Sequence, residues 1–545
     1  MKRKILSLIL ACGLILSIPS GAAAAELDAA VTGAERDIAI VAADYPEVGD
    51  ALEPEAELPS SYSSADLGYV TPVRHQVYNT CWAYSSTASL ETYLIKLGNG
   101  ADHLSTMHMN LWATKTDDGR GWQRTYPNAG YPYLALGYLT SFGMIRNDLF
   151  NESSSEEDYK NSIGSLYPQY IADSVIYLKA SDSDTVKTAV YSYGGVVGNF
   201  HYDASDLNQT TGAYYSNTPG LKTSQLNGHS VEIVGWDDNY DFSNFTLGKR
   251  PDNNGAWLCK NSWGESWGNN GYFWISYEDY YIFDSRFGPS YAISGVKPMN
   301  ANNKMQQDEI YGATYEFDYL DENSRLRKMT YANVLDFSDG YRNIDEIVFE
   351  STAKGSSYTV YYIPLNSSGV PVTDTSLWTE LANGVIEYQG YISVDTDGFI
   401  APDEKGAIAV QIQRDNASGS VSIGVDELLT VSRVPIFIPD TEYGQSYIIG
   451  FSSEPMDMRD LYSKNYDDEY SGNFVIKALT HSDEQNGDVD RDGIFTIIDV
   501  TVTQRKLIQI TELDKTQMRF ADFDNNGEVD IIDCTKMQRR LTYLT

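Results

Sequence analysis

The chain has 545 residues, a hydrophobic fraction of 42% and a formal net charge of −37 at pH 7. This length predicts several domains, and the apolar fraction is ample for their cores. The acidic balance excludes nucleic acid and anionic membranes as partners, because both require clustered Lys and Arg.

The amino terminus has the pattern of a secretory signal peptide: a basic start at residues 1–4, an apolar run at 5–18 and small residues at 22–25. We therefore expect residues 1–25 to be removed on export, leaving a secreted, extracellular protein. A lipoprotein signal at Cys12 is an alternative, although the apolar run before it is very short. Residues 26–57 are rich in Ala, Glu, Asp and Pro and predict a linker or short propeptide. No later apolar run approaches the roughly 20 residues of a membrane helix.

Three residues that lie far apart in the chain form a catalytic pattern. Cys81 opens a helix-favouring stretch that runs to Leu97 and is followed by Gly98, so we predict a helix that begins at the cysteine. A thiol attacks carbonyl carbon only as a thiolate, and a free cysteine of pKa about 8.5 is mostly protonated at neutral pH. His229 can take that proton, the helix dipole favours the thiolate, and the amide of Asn261 can orient the imidazole. This order of nucleophile, base and orienter predicts an enzyme.

The segments around these residues resemble the papain-like cysteine peptidases. The matching segments are residues 58–59, 70–76, 104–105, 128–132, 227–236 and 257–268. The separation of Cys81 and His229 lies within the roughly 130–150 residues typical of that family. The resemblance implies a multidomain chain that begins with an α+β peptidase at residues 58–297, whose helical half and β half enclose a cleft. It also implies a secreted endopeptidase that hydrolyses peptide bonds.

The resemblance assigns further roles around the cleft. Gln76 is expected to donate its side-chain amide to the oxyanion, together with the backbone N–H of Cys81. Gly130 is expected to pair its backbone with an extended substrate. Tyr131 and Pro132 are expected to line the pocket for the second residue before the cleaved bond, where we predict an apolar or aromatic preference.

Trp263 resembles the aromatic residue that covers the contact between His229 and Asn261, and we include it in the predicted substrate site. The chain departs from the family pattern near the nucleophile. Four residues, rather than the usual five, separate Gln76 from Cys81, so the oxyanion loop is one residue tighter. Tyr78 stands where many relatives carry a disulfide cysteine.

Alternative functions share the same residues. A shortened oxyanion loop is compatible with a catalytically silent, inhibitor-type binding protein. Acyl transfer, as in a peptide ligase, uses the same nucleophile, base and orienter. His201 is a weaker candidate for the base, because no Asn-Ser-Trp run follows it. No cofactor is expected in the catalytic reaction.

Residues 298–480 predict an all-β sandwich. Short β-type runs at 358–363, 407–413 and 473–479 are separated by Gly, Pro, Asn and Asp turns. The motifs at 331–334, 391–394 and 443–448 resemble the lectin-like domain that follows some bacterial papain-like peptidases. The resemblance leaves carbohydrate open as a ligand, whereas cross-strand packing also explains the tyrosines.

Two acidic loops of twelve residues, at 488–499 and 522–533, predict two structural Ca²⁺ ions. Calcium prefers six to eight oxygen ligands, and each loop offers side-chain oxygens at five positions, a backbone carbonyl at the seventh and glycine at the sixth. The predicted ligands are Asp488, Asp490, Asp492, the carbonyl of Ile494, Thr496, Asp499, Asp522, Asp524, Asn526, the carbonyl of Glu528, Asp530 and Asp533.

Each loop is closed by aspartate and followed by one helix, and this duplication at residues 486–545 resembles a small α-helical dockerin module of type I. The resemblance implies a cohesin domain on a cellulosome-like scaffold as partner, and scaffold association at the cell surface. Residues expected to contact cohesin are Ile497, Ile498, Ile531, Ile532, Arg505 and Arg539. Packing between the two repeats is an alternative role for some of the isoleucines. Since each half carries the same surface, two docking orientations are conceivable.

Overall fold

The computed structural model describes residues 40–41, 58–99, 103–116, 119–151, 153–162, 166, 168–179, 183–222, 225–299, 303–309, 311–312, 315–317, 328–414, 420–431, 434–450, 453–463, 472–482, 487–490, 495–513, 515–523 and 528–543. The predicted signal peptide and nearly all of the predicted linker therefore lie outside the described residues. No helix within these ranges is both long and apolar enough to cross a lipid bilayer.

Most of the helices lie in the first half of the chain and in the last sixty residues. They are α1 (Cys81–Lys96), α2 (Thr106–Trp112), α3 (Pro132–Gly137), α4 (Glu156–Ser162), α5 (Ser183–Tyr193), α6 (Met458–Ser463), α7 (Ile497–Leu507), α8 (Lys515–Ala521) and α9 (Ile531–Tyr543). A π-helical turn, Tyr138–Phe142, continues α3. Helix α1 begins at Cys81, as the sequence predicted, and Gly98 follows it with a φ of +85°.

The strands up to residue 298 are β1 (Ile40–Val41), β2 (Ser61–Ser63), β3 (Gly121–Trp122), β4 (Tyr170–Leu178), β5 (Val196–His201), β6 (Leu207–Asn208), β7 (Ala213–Tyr214), β8 (Gly228–Asp237), β9 (Ala256–Lys260), β10 (Tyr272–Ser276) and β11 (Ser290–Pro298). Strand β1 lies in the predicted linker and pairs with Glu316 and Phe317 of the β-domain. In the central sheet, β8 lies between β5 and β9. Helix α1 packs against β8, so the start of the helix faces the strand that carries His229. Predicted helical and β halves are thus both present.

The second half of the chain is β-rich, as predicted. Its strands are β12 (Asn303–Gln306), β13 (Tyr315–Phe317), β14 (Lys328–Asp336), β15 (Asn343–Ser351), β16 (Ser357–Ile363), β17 (Thr379–Val385), β18 (Gly390–Ile400), β19 (Lys405–Gln413), β20 (Ile423–Val425), β21 (Leu429–Val431), β22 (Val434–Ile438), β23 (Ser446–Ile449), β24 (Met456–Asp457) and β25 (Ile476–His481). One sheet has the order β17-β16-β19-β14-β23-β24. Asn333 on β14 donates to the carbonyls of Phe474 and Ile476, which ties this sheet to the one that contains β25.

The peptidase and the β-domain share two sheets. Strand β18 pairs with β4 of the peptidase, so that the strands β12-β25-β15-β18 continue into β4-β11-β5-β8. Strand β22 pairs with β3, which places Phe437 opposite Trp122. One hydrophobic core contains residues from both domains, among them Trp82, Tyr391 and Phe437. The two domains therefore pack as one body around the helical half.

The tyrosines of the lectin-like motifs are mostly buried. Tyr331, Tyr391 and Tyr447 are at most 7% exposed, whereas Tyr443 is 56% exposed and lies beneath the guanidinium of Arg459. Cross-strand packing accounts for the buried rings, and carbohydrate binding by this domain stays a prediction.

The last module is small and helical. Helices α7 and α9 pack together over a core that includes Val489, Val500, Cys534 and Met537. The rings of Phe495 and Phe523 stack 5.4 Å apart, one before each helix. The two predicted loops thus contact each other through an aromatic pair, Phe495 at the eighth position of the first loop and Phe523 at the second position of the second.

Candidate active site

Cys81 is the first residue of α1, and the helix start around it lacks a side-chain cap. Thr80 stands at the N-cap position, and its side chain accepts no hydrogen bond from the first turn. The first amides of a helix have no partner within the helix, and its dipole is positive at this end. The helix start therefore favours a negative charge on the sulfur of Cys81.

Two opposing influences act on the Cys81 thiol. Burial between the two halves raises its pKa, whereas hydrogen bonds from the backbone amides of Ser230, Trp82 and Cys81 lower it. The Ser230 hydroxyl donates to Oδ1 of Asn199. Because Ser230 directly follows His229 on β8, the sulfur lies against the strand that carries the imidazole. Sequence reasoning did not identify Ser230, since nothing in the motif marks a serine beside the base.

The imidazole of His229 is oriented by Asn261. Its Nε2 lies 2.8 Å from Oδ1 of Asn261, the first residue after β9. Burial lowers the pKa of His229 to about 4, and the hydrogen bond with Asn261 acts in the opposite direction. Burial alone therefore favours the neutral imidazole, and with Nε2 engaged its Nδ1 is left for proton transfer with Cys81.

Trp263 stacks on the His229 ring with centroids 4.5 Å apart and an interplanar angle of 24°. The edge of Trp267 packs on Trp263 in turn. The indole therefore covers the contact between His229 and Asn261, which keeps water from that hydrogen bond. His201 is differently engaged: its Nδ1 accepts from the backbone N–H of Asn227.

Gln76 lies next to the residues that follow β9. Its Oε1 accepts from the Ser262 hydroxyl at 2.6 Å, and its Nε2 donates to the carbonyl of Tyr78 at 2.8 Å. Its backbone N–H donates to the carbonyl of Ser262. These contacts fix the carboxamide and engage one of its two side-chain N–H groups.

The predicted substrate loop lies against α1. A Cβ at Gly130 would collide with the indole of Trp82, so only glycine permits this approach. Tyr131 follows in an extended conformation as the N-cap of α3, and Pro132 occupies the first turn of that helix. The loop thus reaches the residue next to the nucleophile.

Buried charges lie beneath the site, and sequence reasoning missed them. Glu91 on α1 pairs with Arg74 and accepts from the hydroxyl of Thr71 at 2.6 Å. Glu232 on β8 pairs with Lys260 at 3.2 Å, with both side chains at most 5% exposed. Thr92 on α1 donates its hydroxyl to Glu232 at 2.5 Å, which connects this pair of the β half to the helical half. Breaking either pair would leave an uncompensated buried charge.

In the carboxyl-terminal module, the carboxylates of Asp488, Asp490 and Asp499 converge within 4.8 Å of one another. Oxygen donors of this kind suit Ca²⁺. Asp499 Oδ2 accepts from the backbone N–H of Thr496 at 2.7 Å, and Asp533 Oδ2 accepts from that of Asp530 at the same distance. The two loops therefore end with the same local geometry.

The remaining predicted ligands are distributed as follows. Asp522 and Glu528 are described, whereas Asp492, Ile494, Asp524 and Asn526 lie outside the described residues.

Among the predicted contact residues, Ile497, Ile498, Ile531 and Ile532 are 58%, 54%, 63% and 50% exposed. Arg505 and Arg539 are also exposed. All four isoleucines thus face solvent rather than the interior between the repeats.

Family models match the chain in three consecutive segments. Residues 58–286 match the papain family cysteine protease, residues 306–480 match the lectin like domain, and residues 486–542 match the dockerin type I domain. This order agrees with the resemblances in the sequence.

Among solved structures, the chain is similar to the clostridial cysteine protease Cwp84 after propeptide cleavage. The identity is 33%, the match covers 78% of this chain and 100% of that chain, and the TM-score is 0.68. It is also similar to the structure of the cysteine protease and lectin-like domains of Cwp84, a surface layer associated protein of Clostridium difficile. Here the identity is 31%, the coverage is 81% of this chain and 94% of that chain, and the TM-score is 0.67.

Two curated relatives match about two fifths of this chain. Cathepsin J of Mus musculus is 26% identical over 230 residues, or 40% of this chain and 60% of that protein. Testin-2 of Mus musculus is 30% identical over 227 residues, or 38% of this chain and 58% of that protein. The chain thus spans about 60% of the length of these relatives.

Proposed function

Because the chain belongs to the papain family of cysteine proteases, we propose that it is a secreted endopeptidase whose nucleophile is Cys81 and whose acid and base is His229. The observation that carries this proposal is the position of the His229 imidazole. Asn261 orients it at 2.8 Å, and Trp263 stacks on it. The next residue of the same strand, Ser230, hydrogen-bonds the Cys81 sulfur through its backbone amide.

The nucleophile forms by transfer of the Cys81 proton to Nδ1 of His229. Burial disfavours either charge alone, since it raises the pKa of Cys81 and lowers that of His229. Transfer of the proton creates both charges at once, so that each compensates the desolvation of the other. The amides at the start of α1 and at Ser230 add hydrogen bonds to the thiolate.

The thiolate adds to the carbonyl carbon of the substrate, and the carbonyl oxygen becomes an oxyanion. We assign its stabilisation to the backbone N–H of Cys81 and to Nε2 of Gln76. The contacts of Gln76 with Ser262 and Tyr78 support this role, because they fix the carboxamide in advance and engage only one N–H.

Collapse of the intermediate breaks the C–N bond, and the leaving amine takes the proton from His229. The acyl group stays on the sulfur as a thioester. Water then gives a proton to His229 and attacks the thioester, which releases the acid and restores the neutral pair. Asn261 keeps the ring oriented through both proton transfers.

The substrate strand lies along Gly130, with Tyr131 and Pro132 beside the pocket for the second residue before the cleaved bond. The close approach of Gly130 to Trp82 supports this assignment, because it leaves the loop backbone next to the nucleophile. We propose an apolar or aromatic side chain in that pocket. Strict selection for acidic or basic side chains in a peptide-library digest would contradict it.

We further propose that the carboxyl-terminal module binds two Ca²⁺ ions and docks on a cohesin domain of an extracellular scaffold. The converging carboxylates of the first loop and the repeated contact of Asp533 support two equivalent ion sites. Two pairs of exposed isoleucines, one at the start of each helix, support a docking surface, since apolar side chains clustered at a surface favour association.

The direct test of the peptidase function is digestion of casein and of a peptide library by the purified chain under reducing conditions. Cys81→Ala serves as the matched control. We expect cleavage by the unaltered chain and none by the variant. Absence of hydrolysis by the unaltered chain would instead favour a silent binding protein, whereas ligated products without hydrolysis would favour acyl transfer.

A further inference from the structure

Arg124 is enclosed by carbonyl oxygens that come from two segments. These segments are the end of α2 and the loop before Gly130. Its guanidinium donates from Nε to the carbonyl of Ala129 (3.2 Å), from Nη1 to those of Asn110 (3.0 Å) and Ala113 (2.8 Å), and from Nη2 to those of Tyr126 (3.3 Å) and Asn128 (2.6 Å) and to Oδ1 of Asn110 (2.8 Å).

Only an arginine meets this set of acceptors. The guanidinium has five N–H donors in a rigid fork, and here each nitrogen has at least one acceptor, whereas lysine has three donors on one atom. Within the described residues no carboxylate pairs with Arg124. The carbonyls of Asn110 and Ala113 belong to the end of α2, where the helix dipole is negative, so they compensate the charge of the half-buried guanidinium. Burial lowers the pKa of Arg124 to about 9, which leaves it charged at pH 7.

The same guanidinium lies 5.4 Å from the ring centroid of Trp82, the residue after the nucleophile. Gly130 meets the edge of that indole, where a side chain would collide. Trp82 is fully buried. Arg124 thus hydrogen-bonds residues 126–129 of the loop, and Gly130 packs on Trp82. Together these contacts fix the distance between the loop backbone and Cys81.

A second contact holds the outer side of the loop. The rings of Tyr78 and Tyr126 meet edge to face, with centroids 5.3 Å apart and an interplanar angle of 82°. Asn110 also donates from Nδ2 to the carbonyl of Tyr126. These contacts connect the loop to the oxyanion segment, which contains Tyr78, and to α2 without a covalent bond.

We propose that Arg124 is a positioning residue, which fixes residues 126–129 so that Gly130 presents its backbone to an extended peptide in the register that Cys81 requires. The proposal rests on the peptidase function proposed above and extends it to the residue that prepares the substrate site. Arg124 does not touch the reacting atoms, so its effect falls on peptide binding rather than on the thiolate.

The experiment uses the full chain with Arg124→Lys, which keeps the charge but loses the fork. Arg146→Lys is the matched control, because Arg146 is an exposed arginine of the same half that pairs with Asp148. Three quantities are measured: kcat and KM on a fluorogenic peptide that spans both sides of the cleaved bond, the rate of Cys81 alkylation by iodoacetamide, and the Kd of a labelled peptide in a Cys81→Ala background. Iodoacetamide is a small reagent that does not bind along the substrate loop, so its reaction reports on the Cys81 thiolate alone.

We expect Arg124→Lys to raise KM and Kd about tenfold, since a misplaced loop weakens binding, while the alkylation rate stays within about twofold of the unaltered chain. Arg146→Lys should change none of these quantities. Unchanged KM and Kd in a folded Arg124→Lys protein would overturn the proposal, and so would an equal loss of alkylation rate, which indicates general damage to the site.

Should Arg124→Lys fail to fold, Tyr78→Leu provides the test, because Tyr78 is 37% exposed and its replacement removes the ring contact and the side-chain hydrogen bond that hold Tyr126 in the loop. We expect a rise in KM of about threefold, and an unchanged KM would overturn the proposal. A chain that binds the peptide without cleaving it would contradict the peptidase function, while the Kd comparison still decides the role of Arg124.

Discussion

Tyr391 of the β-domain is the cross-strand neighbour of Val175 in the peptidase, and this register makes one sheet of two domains. The adjacent residue, Gly390, has a φ of +132°, and a Cβ there would collide with the carbonyl of Val175. Strand β8, which carries His229, belongs to this same sheet. Unfolding of the β-domain should therefore also disrupt the sheet that carries His229 beside the cleft.

We predict that the peptidase and the β-domain unfold together. Gly390→Ala should lower the free energy of unfolding by about 2 kcal/mol or more, since it combines strained backbone with a collision at the shared sheet. Calorimetry should show one transition for the two domains, shifted as a unit. Gly398→Ala is the control, because Gly398 also has positive φ but open space around it, and it should cost about 1 kcal/mol. Two separate transitions would contradict the prediction.

The parts of this structure that the sequence predicted depend on neighbours along the chain. The helix from Cys81 follows from local propensity and Gly98, and the cluster of Asp488, Asp490 and Asp499 follows from the fixed spacing of oxygen donors. The shared sheet could not be predicted in this way, because the pairing of Tyr391 with Val175 depends on long-range register.

The same distinction applies within the site. The roles of Cys81, His229 and Asn261 were predicted from motifs, and the structure brings His229 and Asn261 together. Ser230 and Arg124 gave no such signal, because a serine beside a base or an arginine before a turn is ordinary until its contacts are known. Sequence analysis also left the isoleucines undecided between packing and exposure, which only the folded helices determine.

Gln76→Ala should reduce kcat on a peptide substrate by about 10²–10³, because it removes one of two proposed oxyanion donors. The iodoacetamide rate of Cys81 should stay nearly constant, since alkylation forms no oxyanion. Steady-state kinetics and alkylation of the same preparations measure the two effects. A variant that retains full kcat would show that the tighter loop between Gln76 and Cys81 has displaced the amide from this role.

Acid should destabilise the peptidase partly through His108. This histidine is 3% exposed among the rings of Phe142, Phe150 and Tyr159, and burial lowers its pKa to about 3. The unfolded chain binds a proton at His108 below about pH 6.5, whereas the folded chain does so only near pH 3. The neutral His108 therefore contributes its full share to the free energy of unfolding above pH 6.5, and this share is lost as the pH falls towards 3. At about 1.4 kcal/mol per pKa unit, the loss amounts to a few kcal/mol.

His108→Phe should flatten that dependence, because phenylalanine fits the aromatic surroundings and does not titrate. Its Tm should fall less between pH 6.5 and 4 than that of the unaltered chain. Other titrating groups keep their own contributions in the variant, so some dependence should persist. An identical pH profile for both proteins would contradict the buried, neutral state of His108.

Removal of calcium should unfold the carboxyl-terminal module without stopping proteolysis. Asp488, Asp490 and Asp499 surround a site whose charges repel one another without a cation, and the module has its own core around Val489 and Met537. After chelation by EDTA, the helical circular dichroism of the isolated module and cohesin binding should both be lost. Asp499→Ala should weaken both in the same direction, and loss of peptidase activity on chelation would contradict separate cores.

The most direct measurement of the central claim is the rate at which iodoacetamide alkylates Cys81 at pH 6, compared with free cysteine. Free cysteine is only about 0.3% thiolate at that pH, so a Cys81 held ionised by His229 should react about 100-fold faster. His229→Ala should remove that advantage. A rate equal to that of free cysteine, unchanged in His229→Ala, would contradict the thiolate and imidazolium pair on which the peptidase function depends.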